Sequence, residues 1–175
     1  MPAVTVLGLG HVLMGDNAFG PHVIRRLQAF YRFDPAVRVS EARGFGLDWL
    51  PRIAGSRALI VVDTLPSGRE PGVLQTCRHN EIPMGIGQKG SPCELGLREA
   101  LQLLELSGKA IASVLLVTVA RGEATTGLSM SPEVEASIPL AESEIVSELS
   151  RLGHPPLRTW AFPSPALPLE TPTPN

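Results

Sequence analysis

The stretch VTVLGLGHVLMGDNAFG, residues 4–20, decides how the rest of the chain is read. It opens with a short run rich in valine and leucine. A glycine-rich segment follows, and two polar residues, Asp16 and Asn17, stand just ahead of a helical pattern over 18–32. In that pattern Phe19, Val23, Ile24, Leu27 and Phe30 fall on one stripe of a helix. A buried strand running through glycines into a helix is the opening unit of an α/β fold, and the unit recurs downstream. Further strand patterns lie at 37–40, 58–62, 73–77 and 114–120, with helical patterns at 47–53, 92–106 and 131–152. Pro139 either bends the last helix or sets a later start for it. The alternation predicts a mostly parallel sheet of about five strands. The nine residues TLPSGREPG between the third and fourth strands are too few for a helical crossover, which predicts one antiparallel pair there.

The totals narrow the classes open to the protein. A chain of 175 residues is read as one domain over 1–153, with a Pro-rich tail over 154–175 that holds seven prolines from 155 onward. The tail is expected to be extended and poorly ordered, with Trp160 and Phe162 as apolar anchors if it docks. Apolar residues make up 43% and charged residues 18%, a globular composition. A net charge of −2 without a Lys/Arg run argues against nucleic acid or an anionic membrane as partner. No apolar run is long enough to span a bilayer, and the first residues lack the basic start of a signal peptide. Two cysteines, Cys77 and Cys93, make no disulfide framework, so a cytoplasmic location is expected.

In open α/β sheets ligands bind beyond the carboxyl ends of the strands. Asp16 and Asn17 follow the first strand, Asp63 follows the strand over 58–62, and Cys93 lies in SPCE, residues 91–94. That tetrapeptide reads as a helix start, with Ser91 as N-cap, Pro92 at the first position and Glu94 completing a capping box. It places Cys93 at the second helical position, where the helix dipole favours thiolate. Three chemistries are open. A dinucleotide site is disfavoured because Leu13 stands where the third glycine of G-x-G-x-x-G would be. A thiol peptidase would pair Cys93 with His11, His22 or His79, and no G-x-S-x-G elbow is present. A metal site of two carboxylates and a thiolate suits nickel, zinc or cadmium better than magnesium. Against all three, Asp16 and Asp63 can simply cap turns, and Cys93 can be packed.

The chain also resembles a known family. GLGHVLMGDNAFG, residues 8–20, is similar to the G-x-G-N-x-L-x-x-D-[DE]-x-x-G signature of the nickel–iron hydrogenase maturation endopeptidases. The segment over 43–74, with its strand ending in Asp63, follows the family's second block. SPCELGLREAL, residues 91–101, resembles the third block, usually S-x-H-[EQ]-L-G-[LV], and GLSMSPEVEASIP, residues 127–139, resembles the start of the C-terminal helix. Together these cover roughly residues 4–150. The resemblance implies a three-layer α/β/α fold with a twisted, mostly parallel sheet. It implies a protease that removes a C-terminal extension from the hydrogenase large-subunit precursor, recognising nickel already inserted there, with no organic cofactor. Three contacts to the metal are implied: an acid in the first block, Asp in the second and His in the third. Here Asp63 matches the second, Asn17 stands at the first and Cys93 at the third, while Asp16 is an adjacent substitute carboxylate. The second-block opening, often D-G-G-T-x-G, reads EARGFG over 41–46, with Glu41 at the acidic position and Arg43 for the second glycine. The altered set leaves two expectations: an endopeptidase with a changed metal-contact set, or a binding factor that kept the fold and lost cleavage.

Overall fold

The computed structural model describes residues 2–42, 49–65, 69–83, 86, 96–122 and 129–159. A five-stranded sheet forms the middle layer. Its strands are β1 (Val4–Leu9), β3 (Val37–Ala42), β4 (Ala58–Leu65), β5 (Leu74–Arg78) and β6 (Ser113–Ala120). Their order is β3-β1-β4-β6-β5, parallel throughout except for β5, which runs antiparallel to β6. The helices are α1 (Phe19–Phe30), α2 (Leu50–Ile53), α3 (Leu97–Leu106), α4 (Pro132–Ala136) and α5 (Ile138–Arg151).

Alternation along the strands divides the core in two. Val4, Val6, Ile60, Val62, Val117 and Val119 face the stripe of Phe19, Val23, Ile24 and Leu27 on α1 and of Ile138, Ala141, Ile145 and Leu149 on α5. Leu7, Leu9, Leu59, Val61, Val114 and Leu116 face Trp49, Ile53, Leu97, Leu101 and Leu104 on the other side. The result is the expected α/β/α sandwich. Glu142 on α5 ties its layer together, accepting from Arg26 and from the Tyr31 hydroxyl at 2.9 Å.

Several local expectations are corrected. The strand over 74–78 is antiparallel, but its neighbour is β6 and not β4, because the almost fully buried β6 takes an interior place and the half-exposed β5 the edge. The last helical pattern is two helices, α4 and α5, meeting at Ser137. Pro139 sits in the first turn of α5, where its missing N–H costs nothing, and the Ser137 hydroxyl donates to the Val134 carbonyl at 2.6 Å. The beginning of the Pro-rich segment is built into the fold. Leu157–Arg158 form β7, antiparallel to β2 (Tyr31–Arg32), and the Thr159 N–H bonds to the Phe30 carbonyl at 2.8 Å. Trp160 and Phe162 lie outside the described residues.

Candidate functional site

Three glycines seat the first loop on the sheet. Gly20, in the first turn of α1, packs so closely on β1 and β4 that a Cβ there would strike the backbone of Leu9 and Val62. Gly8 faces Ile24 and the Gly20 backbone in the same way. Gly10 has φ +133°, a conformation that side chains disfavour, and any Cβ on it would run into the Asn17 carbonyl. The loop then closes on itself. The His11 N–H bonds to the Asn17 carbonyl at 3.2 Å, and the Asn17 N–H to Met14 at 3.0 Å. Asn17 is thereby held over the carboxyl end of β4.

There the Thr64 hydroxyl donates to Asn17 Oδ1 at 3.1 Å, and the Thr64 N–H donates to Asp63 Oδ1 at 2.7 Å. Asp63 is fully buried and lies within β4, which continues past it to Leu65. By strand alternation Asp63 faces the α3 side of the sheet and Thr64 the α1 side. Asn17 Oδ1 also accepts from Arg121 Nη1 at 3.4 Å, directly after β6. The edge therefore joins Asn17, Asp63, Thr64 and Arg121. Arg121 was not among the residues singled out in the sequence; its one signal was adjacency to the end of a buried strand.

Asp16 does something else. Its Oδ1 accepts the Ser131 N–H at 2.7 Å and its Oδ2 the Gly122 N–H at 3.3 Å, so it fastens the first loop to the chain leaving β6 and to the start of α4. Glu41 is likewise engaged, taking Arg25 at 2.7 Å. Cys93 lies outside the described residues. The cap pattern over 91–94 lies outside them too; as described, α3 begins at Leu97, with Gly96 in extended conformation as its N-cap. The Leu97 N–H bonds to Ile86 at 2.7 Å and the Gly96 carbonyl receives Ala100 at 3.0 Å, which defines that start.

Of the histidines considered as thiol partners, His11 has Nδ1 occupied by the Leu13 N–H at 3.2 Å, while His22 and His79 are exposed. The other cysteine, Cys77, pairs with Leu116 near the amino half of β6, away from this edge. Burial, and secondarily the charge of Glu81, pushes its thiol upward, so it is no thiolate nucleophile.

Comparison with known proteins decides the family. The sequence model of the hydrogenase maturation protease family matches residues 21–148. This chain belongs to that family. It is a hydrolase of the endopeptidase class. The hydrogenase 2 maturation protease of Escherichia coli is 28% identical over 86% of this chain and 92% of its own length. The hydrogenase expression/formation protein HupD of Rhodobacter capsulatus is 32% identical, covering 86% of this chain and 72% of its own. Among solved structures, the hydrogenase-maturating endopeptidase HybD from E. coli superposes with a TM-score of 0.81 at 27% identity, covering 90% of this chain and 98% of that one.

The donors at the edge can be weighed against a metal ion. Among the described residues no group of three or more His, Cys, Asp or Glu is placed to hold one. The described edge offers the Asp63 carboxylate and the Asn17 amide oxygen, and the latter already carries two donors, one of them cationic. That set does not fit a resident ion, which takes four or more ligands.

Proposed function

We propose that this maturation protease removes the C-terminal extension from the large-subunit precursor of a nickel–iron hydrogenase, in the cytoplasm, and recognises nickel that the precursor already carries. In this reading nickel belongs to the substrate and arrives with ligands of its own, so few protein donors are needed. Asp63 is the carboxylate that meets it and Cys93 the sulfur donor; Asn17 positions the edge between Thr64 and Arg121. The observation that carries the reading is the buried Asp63 at the carboxyl end of the central strand, next to the threonine that fixes Asn17.

The test is the intact mass of the nickel-loaded precursor before and after anaerobic, reducing incubation with this protein. Loss of a short C-terminal peptide, absent when nickel is withheld, is the expected result. An unchanged mass, with a related protease cutting the same precursor, would refute it.

One observation favours a second reading. A guanidinium on Asn17 Oδ1 repels a divalent ion at that oxygen, which fits a binding factor that retains the precursor without cutting it. Co-purification of the precursor at unchanged mass would distinguish the two.

A further inference from the structure

Among the described residues of the edge, no carboxylate neutralises the charge of Arg121. Its backbone N–H is fixed to the Leu65 carbonyl at 3.1 Å, so the residue leaves the sheet at a set point between β4 and β6. The side chain is half-buried and donates Nη1 to the neutral Asn17 oxygen at 3.4 Å. Arg25, Arg26, Arg78 and Arg151 each sit on a carboxylate. Arg121 sits on an amide, and among the described residues no carboxylate forms an ion pair with it. Asp16, the nearby acid, spends its oxygens on the backbone of Gly122 and Ser131.

A guanidinium has five N–H donors in a planar fork that matches a carboxylate. Only one of them has a side-chain acceptor here among the described residues. A partly desolvated guanidinium without an anion gains more from one than a fully hydrated lysine would. The loop that carries Asn17 also exposes Leu13 and Met14, at 61% and 48%, which gives apolar surface to a peptide lying beside the charge.

We infer that Arg121 anchors the substrate by binding a carboxylate of the precursor's C-terminal extension. The inference rests on the precursor being the substrate, as proposed above. The carboxylate is either an acidic side chain of the extension or its terminal group, and the same chemistry serves both.

The experiment measures the dissociation constant of the nickel-loaded precursor with the wild-type protein, Arg121→Gln and Arg121→Lys, at two salt concentrations. Three precursors are compared: native, one with the acidic side chains of the extension changed to amides, and one with its terminus displaced by added glycines. With the native precursor, Arg121→Gln is expected to weaken binding about tenfold and to flatten its salt dependence, with Arg121→Lys between. One altered precursor should lose a similar factor on the wild-type protein and nothing further on Arg121→Gln, which identifies the carboxylate. Both altered precursors binding the wild-type protein as the native one does would overturn the inference, and that arm needs no variant to fold. Native affinity within twofold for Arg121→Gln would overturn it as well. Intact mass, read on the same samples, separates the two ideas. Arg121-dependent binding without cleavage refutes the protease reading alone, and cleavage with Arg121-independent binding refutes this one alone.

Discussion

The carboxylate of Asp16 accepts the backbone N–H of Ser131 at 2.7 Å, joining the loop after the first strand to the start of α4 across 115 residues of chain. Its second oxygen takes the Gly122 N–H. Asp16→Ala leaves two part-buried donors without acceptors and should cost about 3 kcal/mol. Asp16→Asn keeps one acceptor oxygen and should cost about 1 kcal/mol. Urea denaturation orders the two variants; equal stability of wild type and Asp16→Ala would remove the clamp from the account.

Gly20 makes a steric prediction at the same loop. Its missing Cβ lets α1 lie directly on the backbones of Leu9 and Val62, and Gly20→Ala must push the helix away. The expected loss is on the order of 3 kcal/mol, as for overpacking a tight core. Gly122→Ala is the control, because a Cβ there meets Pro71 at an ordinary 3.5 Å. Thermal melts should show a large drop for the first and little for the second.

These two residues also show what was legible beforehand. The first glycine block could be read because each glycine has a geometric task in a strand–loop–helix unit, and the apolar runs located all five strands of the sheet. Loop length between β4 and β5 constrained direction but carried no information about which strand would come to lie between them. At α3, the described helix starts at Leu97 after an extended Gly96, while the cap pattern of Ser91, Pro92 and Glu94 lies outside the described residues. Arg121 was invisible for a different reason. A single arginine after a buried strand has no pattern of its own, and its meaning comes from Asn17, over a hundred positions away in the chain.

A pH prediction follows from Glu148 on α5. The side-chain hydrogen bonds of Arg151 and then of Arg78 hold its carboxyl far below the ordinary 4.5, at about 2. Because the folded value is depressed, the stabilisation is fully present above the unfolded range and is lost as pH falls from about 4.5 toward 2. Both arginines are half-exposed, so solvent screening reduces the contribution to about 2 kcal/mol. Unfolding free energies at pH 7, 4.5 and 3 should fall more steeply for the wild type than for Glu148→Gln. Parallel curves would show that the triad contributes nothing to acid sensitivity.

The last prediction separates folding from chemistry at the edge. Asp63 is buried and its Oδ1 accepts the Thr64 N–H, a bond that an asparagine oxygen can also accept. Asp63→Asn should therefore keep the fold, with a melting temperature within a few degrees of wild type. If Asp63 is the carboxylate that meets nickel, as proposed, removing its charge should lower cleavage of the precursor about a hundredfold, the upper end of the cost of losing even an outer-shell partner. Cys93 tests the proposed nickel contact through its sulfur. Imidazole and thiolate are both good nickel ligands, whereas a serine hydroxyl is poor. Cys93→His should stay within about tenfold of wild-type cleavage and Cys93→Ser should fall well below it. A thiol nucleophile predicts the reverse for histidine, since imidazole cannot take over attack by sulfur in a site shaped for it. Full activity in Cys93→Ser would remove the sulfur from both schemes and leave Asp63 as the remaining proposed contact to the metal.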